Sequence, residues 1–231
     1  MLIVANWKCN PINTKKVNHL LEIEEGNQDT EVVICPPFLY LSQAKEKLRN
    51  KDIKLGAQDS FWEDSGSYTG EVSPLMLSNL GCEYVIIGHS ERRKYFEEDS
   101  NIIKQKVEKA LENDLKVILC VGETEEEKKK EKTFTVLKKQ IKGIKKKVII
   151  AYEPLWAIGS GNNCNPDQAE KAVAFIKKEI DTKVLYGGSV NVKNASSYLN
   201  KDVDGLLIGG ASLKPDQFNR IIKKAKSEKQ D

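Results

Sequence analysis

No apolar run in this 231-residue chain approaches the roughly 20 residues needed to cross a bilayer. The opening Leu2-Ile3-Val4-Ala5 is cut short by Asn6, Trp7 and Lys8, too soon for a secretory signal. A cytoplasmic protein with no membrane partner is therefore expected. Histidine is scarce, with only His19 and His89, and neither an HxH nor an HExxH spacing occurs. No transition-metal site is expected from such a set. Cysteine is odd in number, at positions 9, 35, 82, 120 and 164, with no CxxC pair and several members in apolar runs. That pattern argues against a disulfide framework or a zinc site and for reduced, mostly buried thiols. A dominant sign of charge is missing as well: 37 basic residues face 34 acidic ones. The basic residues are interspersed with acids rather than gathered with aromatics, so no nucleic-acid partner is expected.

What is present is a core and a rhythm. Hydrophobic residues make up 39% of the chain and charged residues 31%, the balance of a soluble globular protein. Short apolar runs recur at Leu2–Asn6, Glu31–Cys35, Ile53–Gln58, Tyr84–Gly88, Lys116–Val121, Val148–Glu153, Lys183–Tyr186 and Gly205–Ile208. Several are apolar at consecutive positions, as in Val85-Ile86-Ile87, which fits strands of a parallel sheet covered on both faces. Helical patterns lie between them, over 14–25, 38–49, 74–80, 100–113, 125–144, 166–179, 191–199 and 215–226. Asn165-Pro166 and Ser73-Pro74 read as helix starts, a capping side chain followed by proline at the first helical position. Gly81 reads as a helix stop.

Repeated strand–helix units without a linker favour a single domain over residues 1–231, an α/β barrel of the (β/α)8 type with a closed, parallel, eight-stranded sheet. Periodicity alone leaves an open doubly wound sheet as the alternative. Glu125–Lys132 (EEEKKKEK) reads as a solvated helix face with Glu125–Lys129 and Glu126–Lys130 at ion-pair spacing. Lys145-Lys146-Lys147 reads as a solvated turn.

Barrels carry chemistry at the C-terminal ends of their strands. Here those ends hold Asn6-Trp7-Lys8, Gln58-Asp59, Gly88-His89-Ser90-Glu91, Gly122-Glu123, Glu153-Pro154, Gly187-Gly188-Ser189 and Gly209-Gly210. The two glycine pairs follow the last two strands and lead into helices. Exposed backbone N–H groups in front of a helix form an anion site, so phosphate binding is expected; tight turning alone is the plainer reading of each pair. His89 precedes a plausible helix start at Ser90-Glu91, where a positive ring is disfavoured and a neutral imidazole can donate a hydrogen bond. Glu153 follows the apolar Val148–Ala151, so its carboxylate must be paired, solvated or functional. His19, within the first helical pattern, reads as ordinary.

Asn6-Trp7-Lys8, Gly88-His89-Ser90-Glu91-Arg92-Arg93, Ala151–Gly159 (AYEPLWAIG), Tyr186–Val190 (YGGSV) and Gly209–Leu213 (GGASL) together resemble the triosephosphate isomerase family. The motifs fall in order from the first strand to the last helix, and their combination is far more specific than any one. The resemblance implies an eightfold barrel, a homodimer, no cofactor and a triose phosphate substrate. It implies Glu153 as the general base, His89 as the neutral electrophile and proton shuttle, and Lys8 as the fixed positive charge, with Asn6 as a polar partner. It implies Gly159, Ser189, Gly209 and Gly210 as the phosphate grip, and Glu91 as a carboxylate behind Lys8.

The same resemblance casts Pro154–Asn163 as a lid and Asp59–Ser73 as a third βα loop that enters the partner subunit, with Thr69 and Cys9 at the interface. Leu155 and Ser160 depart mildly from the family's usual Val and Thr. Asn162-Asn163-Cys164 replaces the usual Lys-Thr-Ala at the far hinge, and the chain is shortened near the first helix and at Gly143–Lys147. Another barrel acting on phosphorylated substrates would share the glycine pairs without needing Lys8, His89 and Glu153 together. A retired barrel serving as a scaffold would not need Glu153 or His89.

Overall fold

A computed structural model describes residues 1–145, 147–158, 163–199 and 201–227. Eight strands close on themselves in sequence order: β1 (Leu2–Asn6), β2 (Glu31–Cys35), β3 (Lys54–Ala57), β4 (Tyr84–Ile87), β5 (Lys116–Val121), β6 (Ile149–Tyr152), β7 (Val184–Tyr186) and β8 (Gly205–Ile208). Every pairing is parallel, and β8 returns to β1 with Gly205 opposite Leu2 and Ile208 opposite Ala5. The open-sheet alternative is thereby excluded.

The consecutive apolar runs serve two cores at once. Val4, Val33, Ile86, Ile118, Leu185 and Leu207 fill the barrel. Their neighbours Ile3, Ile34, Val85, Leu119 and Ile208 point outward, into a layer shared with the helices. Alternation along a strand sends successive side chains to opposite faces, and here both faces are dry.

The helices are α1 (Thr14–Leu20), α2 (Leu41–Leu48), α3 (Pro74–Leu80), α4 (Ser90–Tyr95), α5 (Ser100–Glu112), α6 (Glu125–Lys129), α7 (Thr133–Ile141), α8 (Pro166–Glu179), α9 (Ala195–Leu199) and α10 (Pro215–Ser227). Ser73 and Asn165 cap α3 and α8 through their side chains, and Gly81 ends α3 in the left-handed region.

Four helical expectations change. The first helix ends at Leu20 rather than at 25; Glu22, Glu24 and Glu25 would oppose the dipole at a helix C-terminus. The chain there turns to Asn219 of α10, whose Oδ1 accepts from Glu24 N at 2.8 Å. The span 38–49 begins as a 3-10 turn over Phe38–Tyr40. The span 125–144 splits into α6 and α7 around Glu131, whose φ is 55°. The all-charged α6 has no residue to bury, whereas α7 packs Leu137 and Ile141. The Glu125–Lys129 and Glu126–Lys130 pairs do form on α6. The span 191–199 is helical only from Ala195, because the side chains of Asn191 and Asn194 bond nearby backbone amides instead.

Candidate active site

At the C-terminal mouth of the barrel a cavity of about 300 Å³ is lined by Asn6, Lys8, His89, Glu153, Gly187, Gly188, Ser189, Gly209 and Gly210, with Ile158 at its edge. Seven of the nine residues expected from the sequence meet here; Glu91 does not line this cavity, and Gly159 lies outside the described residues, as do Ser160, Gly161 and Asn162.

Lys8 follows β1 in a left-handed conformation, φ 53°, which costs a non-glycine residue energy and persists only where surroundings impose it. Two side chains impose it here. Lys8 N donates to Asn6 Oδ1 at 3.0 Å, and Gln58 Nε2 donates to Lys8 O at 2.9 Å and to Cys35 O at 2.8 Å. The ammonium rests on Glu91 Oε1 at 2.5 Å.

His89 stands before α4. Its Nδ1 accepts the Glu91 backbone N–H at 3.2 Å, which assigns the ring proton to Nε2. Nε2 lies 3.4 Å from Glu153 Oε1, and the side chains of His89 and Glu153 are 5% and 4% exposed. An imidazole N–H and a carboxylate, both shielded from water, therefore face one another across the mouth. Among the described residues Glu153 Oε2 is buried with no hydrogen-bond partner. Burial raises the Cys120 thiol well above its usual range, keeping it protonated against the Glu153 carboxylate. On the other side a Cβ on Gly187 would lie 2.7 Å from Glu153 Cγ, so only glycine leaves room for the carboxylate there.

The opposite wall is backbone. Among the described residues, the amides of Gly188, Gly209 and Gly210 donate to no protein acceptor. Gly210 opens a short 3-10 helix, Gly210–Leu213. Free N–H groups on this wall and an ammonium beside it make a receptor for an anion. The position of a Gly209 Cβ lies 3.3 Å from Lys8 Cε, so the cation's stem runs along the glycine wall.

Several residues that hold this arrangement gain no role from the sequence alone, although Glu123 and Asp59 stand at the strand ends named above. Glu123, 1% exposed, accepts Trp156 Nε1–H at 2.9 Å and the Tyr152 hydroxyl at 3.1 Å. The Lys128 ammonium sits 3.1 Å above the Trp156 ring, so the segment after Glu153 is gripped from both sides. Beyond the undescribed residues, the Tyr198 hydroxyl donates to Cys164 O at 2.6 Å, and Ser189 Oγ donates to Ala157 O at 2.6 Å. Behind Lys8 and His89 lies a buried cluster in which Lys106 bonds Asp59 and Glu98 at 2.7 and 2.6 Å, with Arg92 Nε at 2.8 and 2.6 Å from the same carboxylates. Burial pushes Asp59 up to about 6 against the opposing pull of Lys106. The spacing of these four residues reveals nothing until α4, α5 and the start of the third loop fold together.

A family model described as triosephosphate isomerase matches residues 1–225. The triosephosphate isomerase of Alkaliphilus oremlandii is 42% identical over 96% of this chain and 98% of its own. That of Dictyoglomus thermophilum is 44% identical with the same coverage. The crystal structure of triosephosphate isomerase from Bartonella henselae superposes with a TM-score of 0.87 at 37% identity, covering 96% of this chain and 98% of its own.

Proposed function

Since the chain belongs to the triosephosphate isomerase family and interconverts triose phosphates, we propose that Glu153, His89 and Lys8 carry the reaction between D-glyceraldehyde 3-phosphate and dihydroxyacetone phosphate. The pathways that use this step are glycolysis and gluconeogenesis. The observation that carries the assignment is the 3.4 Å approach of His89 Nε2 to Glu153 Oε1, with Glu153 Oε2 buried and unpartnered among the described residues, in one cavity with a cation and free amides.

The substrate phosphate occupies the wall of Gly188, Ser189, Gly209 and Gly210, and Gly159 is assigned to the same phosphate by its place in the family motif alone. The carbonyl and hydroxyl oxygens then reach His89 and Lys8, and the carbon between them faces Glu153. A proton next to a carbonyl is too weakly acidic for a carboxylate alone. The electron pair left by the C–H bond moves into a C=C bond and on to the carbonyl oxygen, where negative charge appears. Donors aimed at that oxygen in advance lower the barrier most. Lys8 supplies charge, Asn6 holds its backbone, and the neutral His89 N–H gives a proton to one oxygen and recovers one from the other. Glu153 returns its proton to the neighbouring carbon, and no redox partner is consumed.

This reading predicts solvent exchange. Conversion in D2O gives product in which part of the carbon that received the proton carries deuterium, detectable by NMR. A hydride shift between the carbons would leave that position free of deuterium and would defeat the enediolate route.

We further propose that the protein is a cytoplasmic homodimer built from one barrel domain per chain. Exposed apolar side chains support the dimer: Tyr68, Leu75 and Met76 lie on or beside the third loop, and Phe38 and Phe96 line a second cavity near Lys8, each with an exposed apolar neighbour in sequence, Leu39 and Tyr95. Cys9 and Phe38 line that cavity, of about 280 Å³, and Thr69 is exposed on the loop. Such a concentration of apolar surface marks an interface. Sedimentation equilibrium at micromolar concentration is expected to return twice the chain mass of 26.0 kDa. A single-chain mass would reject the dimer.

A further inference from the structure

Arg92 and Arg93 are adjacent in sequence and differ in fate. Arg92 is neutralised by Asp59 and Glu98 in the buried cluster. Arg93 turns inward under the barrel mouth, and among the described residues no carboxylate lies within ion-pairing distance of it. Its two hydrogen bonds go to main-chain carbonyls: Nε donates to Gly88 O at 2.7 Å and Nη2 to Cys120 O at 3.0 Å. Gly88 directly follows β4 and precedes His89; Cys120 lies near the end of β5, with its thiol against Glu153. The site is shaped for the guanidinium. Gly88 has φ 69°, and a Cβ there would lie 3.0 Å from Arg93 Nη2 and 3.2 Å from Leu119 Cδ1.

We propose that Arg93 is a positioning residue for this site: its two bonds fix the chain segments that carry His89 and meet Glu153. The proposal rests on Glu153 being the base. A guanidinium keeps its charge even where burial works against it, so the mouth holds a permanent cation. A charged donor makes stronger hydrogen bonds than a neutral one, and the planar head reaches two carbonyls at once, one just past β4 and one on the paired strand β5.

The test compares kcat and KM for wild type, Arg93→Gln and Arg93→Lys. Arg93→Lys keeps the charge and loses the two-pronged geometry, so its kcat is expected to fall about tenfold, as misplaced catalytic groups do, while KM stays within about threefold because the glycine wall is untouched. Arg93→Gln is expected to lose at least as much kcat at a similar KM. An unchanged kcat in a folded variant, or a loss carried by KM, overturns the proposal. If Arg93→Gln does not fold, kcat and KM of Arg93→Lys alone decide. Glu153→Gln assayed alongside separates the two readings. Activity retained in that variant would remove the base itself, whereas its loss with unchanged Arg93 kinetics would remove only the role of Arg93.

Discussion

Glu153→Gln is expected to lower kcat at least ~100-fold, the usual scale for removing a positioned proton-transfer group. The substitution is nearly isosteric, so it keeps the fit against Gly187, where a Cβ would already lie 2.7 Å from Glu153 Cγ. An amide cannot take a proton from carbon at neutral pH, and nothing else in the cavity can. His89 holds its lone pair on Nδ1, directed to the Glu91 amide and away from the substrate. Lys8 is a cation paired with Glu91. The glycine wall is untouched, so KM should stay within about threefold, which separates a lost chemical step from lost binding.

Stability should move the other way. Glu153 is 3% exposed, and one of its oxygens has no hydrogen-bond partner among the described residues, a costly state for a carboxylate. A neutral amide relieves that cost, so Tm should hold or rise while activity collapses. Full activity in a coupled assay with glyceraldehyde 3-phosphate would sink the base assignment. A large fall in Tm would show the carboxylate to be structural.

The sequence displays this site well because barrel topology turns local signals into shared space. Each strand end contributes one short motif, and closing the sheet from β8 to β1 brings Asn6 and Lys8 beside Gly209 and Gly210 without further information. Apolar runs gave strand positions within a residue or so, because a strand covered on both faces has no polar residue to blur it. Helices were harder to delimit. The break between α6 and α7 depends on which face finds the barrel, and the late start of α9 depends on asparagine side chains competing for amides.

The least legible layer is the one that holds the site rigid. Gln58 reaches across 50 positions to Lys8 O, and Glu123 across 33 to Trp156. Arg93 spans 27 to Cys120 O. Each is an unremarkable polar residue until the fold supplies its partner. The buried Asp59–Lys106 pair is still less visible, since composition gives no reason to bury a lysine at 2% exposure.

Lys8→Met tests the electrostatic half of the mechanism. We expect kcat/KM to fall by about 100-fold or more, the scale for removing a preorganised donor at a developing oxyanion. Methionine keeps an unbranched stem along Gly209, where the lysine Cε lies 3.3 Å from the position of a glycine Cβ, so packing is preserved and charge is not. The strained φ of 53° belongs to the backbone and is held by Asn6 and Gln58, which the substitution leaves alone. Glu91 loses its partner, but its side chain is 42% exposed and can hydrate. Half-exposed ion pairs contribute about 1 kcal/mol or less, so the melting temperature should shift little. The loss should divide between kcat and KM, unlike that of Glu153→Gln. The ammonium attracts the bound phosphate as well as the charge that appears on oxygen, so it serves the ground state and the transition state together. A variant within about threefold of wild type in kcat/KM would mean that His89 and the backbone amides suffice for the oxyanion. The strain at position 8 would then need another explanation, because a chain that holds a lysine in a left-handed turn at the mouth of its active site does so to aim that ammonium.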